Sequence, residues 1–124
     1  MYKAHFEEVK SALQLLADYD QQKIEWIGPF GETFKMTWTE TYMDVVEDTL
    51  CEPFPDEWKD YGMPIESVNE LREVRSLMEE LGEDYGIMDD SVAEQIINDF
   101  RLDRIRKLSA NLLKEIGKLP PPQE

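Results

Sequence analysis

Three stretches of this chain repeat their apolar residues every three or four positions, a period that admits little besides helices packed on one another. From Lys3 to about Ala17 the stripe is Phe6, Val9, Leu13, Leu16 and Ala17, with Glu7, Glu8 and Lys10 between. Val68, Leu71, Val74, Met78 and Leu81 make a second stripe, and Leu102, Ile105, Leu108, Leu112 and Ile116 a third. Punctuation supports these boundaries. Ser67-Val68-Asn69-Glu70 and Ser91-Val92-Ala93-Glu94 match the capping box, in which hydroxyl and carboxylate satisfy free backbone donors at a helix start. Asn98 or Asp99 is placed to cap the last helix, and Gly82 and Gly117 are placed to stop the second and third stripes.

The remaining segments are shorter. Thr39 is a good N-cap for a helix through Leu50 that carries Tyr42, Val45, Val46 and Leu50 on one side. The Ser91 box opens a short helical turn through Ile97. Lys23-Ile24-Glu25-Trp26-Ile27 reads as a short strand or an extended packed segment, and Gly28-Pro29-Phe30-Gly31 as a turn. A hairpin with the residues up to Trp38 is the alternative that this leaves open. Residues 51–64 hold Pro53, Pro55, Gly62 and Pro64 and read as an ordered loop, because Phe54, Trp58 and Tyr61 are too apolar for a free linker. The expected fold is mainly α: one bundle of four to five helices over residues 1–118, with at most a small β-hairpin near residues 23–38. Residues 119–124, rich in proline, read as a flexible tail. With 124 residues and a hydrophobic fraction of 41%, such a bundle can fill its core without metals or disulfides.

Charge separates the segments. Residues 40–60 carry one base against eight acids and residues 61–100 two against eleven, whereas residues 101–118 carry six bases against two acids. Pairing of this last, basic helix with the acidic middle is the plain reading. The whole chain stands at −15, a field that repels nucleic acid and anionic lipid and attracts basic protein surfaces. No apolar run approaches the ~20 residues that cross a bilayer, and Glu7 and Glu8 stand where a signal peptide needs apolar residues. Cys51 is the single cysteine, so no internal disulfide forms. A cytoplasmic setting is the default expectation.

Chemistry finds little footing. Asp18/Asp20 and Asp89/Asp90 lack the alternating oxygens and distal Glu of a calcium loop, and His5, the one histidine, has no ligand partner at metal spacing. Cys51 and His5 make the only nucleophile–base pair, with nothing local to unite them. No glycine-rich phosphate loop is present, and neither a metal nor another cofactor is expected. Asp44 and Asp48 share a helix face, which keeps a small carboxylate hydrolase as a distant alternative.

The residues with most to say about function lie between Trp38 and Tyr61. Tyr42, Phe54, Trp58 and Tyr61 are interleaved there with Asp44, Glu47, Asp48, Asp56, Glu57 and Asp60. Large rings bury area at low entropic cost, and carboxylates around them steer a cationic partner. Taken as an outward patch, these ten residues form a partner-binding surface for a basic protein.

The run Val9-Lys10-Ser11-Ala12-Leu13-Gln14-Leu15-Leu16-Ala17-Asp18, followed by Gln21 or Gln22 and then Trp26, resembles the opening of a family of short bacterial proteins of uncharacterised function, common in actinobacteria. The likeness continues at Val46-Glu47-Asp48-Thr49, at Leu81-Gly82-Glu83, and around Asp99, Arg101 and Leu108-Ser109-Ala110. It departs over Asp99-Phe100-Arg101-Leu102, where members usually carry a Pro and a Trp. What the resemblance implies is a shared fold, and it transfers no functional residue. In class, though without a shared motif, the small acidic helical profile is similar to that of toxin-immunity proteins. The expected function is therefore a non-enzymatic binding protein that neutralises a basic toxin by masking its surface. A self-associating regulatory or assembly module is the runner-up.

Overall fold

The computed structural model describes residues 1–27, 37–50, 54–88 and 90–122, apart from the side chains of Phe54 and Asp90. Helix α1 spans Lys3–Ala17, α2 Tyr19–Gln22, α3 Trp38–Tyr42, α4 Phe54–Asp60, α5 Ile65–Tyr85, α6 Ala93–Ile97 and α7 Phe100–Gly117. Two of them widen into π-helix, α2 through Lys23–Ile27 and α3 through Met43–Thr49, and a 3₁₀ turn at Asp90–Val92 leads into α6. Among the described residues there is no strand, and no helix is long and apolar enough to cross a membrane.

Helix α7 is the axis of the bundle, with α1 along one side and α5 along the other. Leu102, Ile105, Leu108, Leu112 and Ile116 are all buried, as are Phe6, Val9, Leu13 and Leu16 of α1 and Val68, Leu71, Val74, Met78 and Leu81 of α5. The three stripes thus meet in one core. Asp99 caps α7 as the sequence allows, accepting from the Arg101 amide at 2.9 Å.

The predicted pairing of α7 with the acidic middle is present. Arg104 donates to Glu73 of α5 at 2.9 Å, and Asn111 donates to Glu70 at 3.1 Å. Arg101 grips Asp99 at 3.0 Å and Asp84 at 2.6 Å. Those bonds hold the Asp99 carboxyl down to about 2, and the Tyr85 hydroxyl adds a further donor at 2.9 Å. Arg106 turns inward, giving Nη1 to the buried Gln22 side chain at 2.9 Å and Nη2 to the Ile97 carbonyl.

Several boundaries differ from the sequence reading. Lys23–Ile27 is no strand: Gln22 and Trp26 both face the core, four residues apart, while Ile24 and Ile27 stand exposed. A strand would have buried alternate residues. The other half of the expected hairpin, with its Gly-Pro-Phe-Gly turn, falls largely outside the described residues. Thr37 caps α3 in place of Thr39, accepting from the Glu40 amide at 3.2 Å. Neither capping box forms. Pro64 fixes the start of α5, which leaves Ser67 buried inside the first turn, and α6 carries no side-chain cap.

Residues 54–60, expected as loop, form α4. Pro55 is tolerated in a first turn, and Asp56 and Glu57 suit the positive helix start. The helix closes on Gly62 at φ +113°, with Met63 N–H bonded to the Trp58 carbonyl at 2.9 Å, as in a Schellman end. The presumed tail is held down over residues 119–122: Leu119 packs on the core, Pro122 is buried, and the Tyr61 hydroxyl donates to the Pro120 carbonyl.

Gly82 does not stop α5, which runs on to Gly86 at φ +87°. It is there for space. A Cβ at Gly82 would lie 2.4 Å from the Tyr42 ring and 2.8 Å from Ile87, whereas one at Gly117 meets nothing within 4 Å. Gly82→Ala should therefore destabilise the chain by about 1–3 kcal/mol in urea denaturation. Gly117→Ala, relieved of glycine's backbone entropy, should be neutral or stabilise by up to about 1 kcal/mol.

The Asp99 anchor sets an acid limit. Its carboxyl is depressed in the folded chain, so its contribution is complete above the ordinary carboxylate range and is lost as pH falls through about 2. Asp99→Asn should be less stable than wild type at neutral pH, and the gap should close between about pH 4 and about pH 2 in pH-dependent chemical denaturation.

Candidate functional site

The ten residues proposed as a partner surface do not stay together. Trp58 is fully buried, its ring stacked on Phe6 at 5.4 Å and its N–H given to His5 Nε2 at 3.3 Å. Tyr42 is buried as well, edge-on to Trp38 at 5.8 Å and pressed against Gly82. Burial first, and then Glu79, Glu47 and Glu83, push its phenol further up, so it stays neutral. These two rings are core, and the expectation that they face a partner is corrected. The reason is angular. On a helix, adjacent residues point about 100° apart, so solvent-facing charges at Glu57 and Lys59 do not bring the Trp58 ring between them to the surface. Phe54's side chain lies outside the described residues.

The carboxylates divide into two groups. Glu47 and Asp48 are exposed on the Met43–Thr49 segment, beside a half-buried Asp44 that accepts from Thr49 Oγ1 at 3.2 Å. Burial pushes the Asp44 carboxyl up, opposed by the Thr49 bond and reinforced by Asp48 and Glu8. Asp56 is tied to Arg72 of α5. Glu57, Asp60 and Tyr61, by contrast, converge with Met1 and Tyr2 around an open cleft of about 420 Å³.

That cleft is the candidate site. One wall is the outer face of α4 with the Tyr61 ring, itself set edge-on to Phe6 at 6.3 Å and fixed by its hydroxyl bond to Pro120. The other wall is the extended start of the chain, where Tyr2 is 78% exposed. Trp58 lies beneath and positions the helix that presents Glu57 and Asp60. Two carboxylates beside aromatic and thioether surface match a cation on an apolar stem. Lysine and arginine side chains have that complementary form, a charged end on a methylene stem. Met1 and Tyr2 were not identified from the sequence, and no local pattern distinguishes them. Only the fold of α4 against α1 brings them opposite Glu57.

Among the described residues no group of three or more His, Cys, Asp or Glu is arranged to hold a metal ion. His5 is engaged with Trp58, and Cys51 lies outside the described residues. Comparison of the chain with protein-family models, with curated proteins and with solved structures gives no match.

If Trp58 is core, its removal is a folding lesion. Trp58→Ala should cost about 3–5 kcal/mol in urea denaturation. Trp58→Phe, which keeps the stack on Phe6, should cost clearly less.

Proposed function

We propose that this chain is a non-enzymatic binding protein for a basic protein partner, working as an immunity-type protein does, by occupying a cationic surface. What carries the reading is the cleft between α4 and the chain start: Glu57 and Asp60 set against Tyr61 and Tyr2 on a domain of net charge −15. The arginines of α7 are turned to internal partners, so they do little to shield that field.

The magnitudes assign different tasks to field and cleft. A single exposed ion pair contributes only about 0–1 kcal/mol, so the two cleft acids cannot supply tight binding alone. The summed negative field speeds encounter, and the cleft then selects a long cationic side chain by giving its stem an apolar bed. Glu47 and Asp48 on the neighbouring segment extend the acidic surface without belonging to the cleft. The partner would be basic, as a nuclease-type toxin is, and the setting cytoplasmic.

The test uses a lysine-rich peptide as probe, followed by chemical shifts on the labelled chain. Perturbation should centre on Tyr2, Glu57, Asp60 and Tyr61, and affinity should fall as salt rises from about 0.05 M to about 0.5 M. Glu57→Gln with Asp60→Asn should weaken binding about tenfold, and acetylating the peptide lysines should abolish it. Shifts centred elsewhere, with the double variant binding as well as wild type, would sink this reading.

Self-association remains the second reading because Met88 and Phe100 are each 80% exposed. The shared charge of −15 works against two copies meeting, which ranks it below a basic partner. Light scattering that shows a salt-insensitive dimer would reverse that order.

A further inference from the structure

A buried indole must place its N–H on an acceptor, and all three tryptophans of the chain do so. Trp26 donates to Thr41 Oγ1 at 2.9 Å, and Trp38 donates to the Gly86 carbonyl at 3.2 Å. Both acceptors are oxygens that do not titrate near neutrality. Trp58 differs in kind: it donates to His5 Nε2 at 3.3 Å, and an imidazole nitrogen accepts only while it carries no proton. The two rings lie 6.0 Å apart, tilted by 53°. His5 stands in the first turn of α1 and Trp58 in the middle of α4, so the bond spans two helices that are far apart in sequence.

We propose that His5 and Trp58 form a proton-operated latch between α1 and α4, closed while the imidazole is neutral and opened when Nε2 takes a proton. In the protonated state two N–H donors face each other and the buried indole loses its acceptor, an arrangement that α4 relieves by loosening from α1. Among the described residues, charged groups that bear on the imidazole include Glu57 from α4, Glu8 from α1 and the Met1 ammonium. Burial holds His5 below its ordinary 6.5, Glu57 and then Glu8 oppose that, and the ammonium assists it. The unfolded chain therefore binds the proton more readily than the folded one. The latch's contribution is complete above about 6.5 and fades as pH falls through the lower, folded value.

Because Glu57, Asp60 and Tyr61 form one wall of the cleft, opening the latch loosens the surface proposed to take a cationic side chain. The latch itself does not rest on that binding reading, and it is measured on the free chain.

Its test exploits the single histidine. The indole N–H signals of the three tryptophans and the His5 ring are followed from about pH 8 to about pH 5. The Trp58 signal should move with the His5 midpoint, and the signals of Trp26 and Trp38 should not. Amide protection over residues 54–60 should fall about tenfold below that midpoint. His5→Gln offers an amide oxygen at every pH, so it should keep the protection and lose the pH response. Trp58→Phe, which deletes the donor and keeps a ring, should raise the His5 midpoint, and this holds the idea open to refutation even where His5→Gln folds poorly. A Trp58 signal indifferent to His5 titration overturns the latch, as does equal loss of protection in His5→Gln. Peptide binding at neutral pH is untouched by either failure, so latch and cleft are judged separately.

Discussion

Helix α7 has to satisfy two neighbours of different character at once, and the rest of the bundle is arranged around that demand. Its apolar stripe from Leu102 to Ile116 supplies a surface to both α1 and α5. Arg101 and Arg104 meet the acids that would otherwise crowd the same side of α5. Glu70, Glu73, Glu80 and Asp84 recur along α5 at intervals of three to seven residues, and without a counter-charge they would repel one another. Arg104 and Arg101 reach across to Glu73 and to Asp84, and Asn111 bonds Glu70 as a neutral donor. The ion pairs differ in worth. Arg104 and Glu73 are both well exposed and contribute little, while Arg101 and Asp99 are largely sheltered and hydrogen-bonded from several sides. Arg101 and Asp99 both belong to α7, so their pair organises the start of that helix; the apolar stripe sets its register on α5, with the Tyr85 hydroxyl on Asp99 tying the two together at that end.

That division explains which parts of the fold were legible. The three long stripes, the Asp99 cap and the basic-on-acidic pairing follow from period, composition and local chemistry, all of which a single sequence displays. Sequence pattern and structure part where two local signals compete. Ser67 and Glu70 have the spacing of a capping box, but Pro64 already ends the preceding chain direction and offers its carbonyl to the Ser67 and Val68 amides. Gly82 looks like a helix stop, and it is retained for a tertiary reason, the close approach of Tyr42, which no local pattern encodes. The π-helical stretches escaped for a simpler cause. A hydrogen bond that spans five residues in place of four lengthens the turn by less than a residue, and over five or seven residues that change leaves no separate apolar period to read.

The candidate site was half legible. Glu57, Asp60 and Tyr61 line one cleft because they lie within about one turn of each other. Trp58 and Tyr42 are core and not anchors, since proximity in sequence to carboxylates is not proximity in space. Trp58 shows how the two diverge. Its flanking charges occupy the solvent side of α4 because its own ring occupies the core side. The denser the charge around a buried ring in a short helix, the more strictly that ring is confined, for a helix of seven residues has one face to bury.

The same geometry ties stability to function at one point. Helix α4 is too short to be stable alone, and after Asp60 the chain turns at Tyr61 and Gly62. What holds it are Trp58 in the core, Asp56 on Arg72, and Tyr61 on Pro120. Of these, the ring contact with Phe6 is insensitive to pH, and the hydroxyl bond to a carbonyl nearly so. The indole bond to His5 depends on a proton at the imidazole, and it is also the attachment nearest the start of α1, where Met1 and Tyr2 form the opposite wall of the cleft. A change at His5 therefore acts on both walls together: on α4 through the indole, and on the chain start through the first turn of α1. A carbonyl acceptor in its place would hold α4 as firmly and respond to nothing. Histidine at that position makes the geometry of the acidic cleft depend on a single proton.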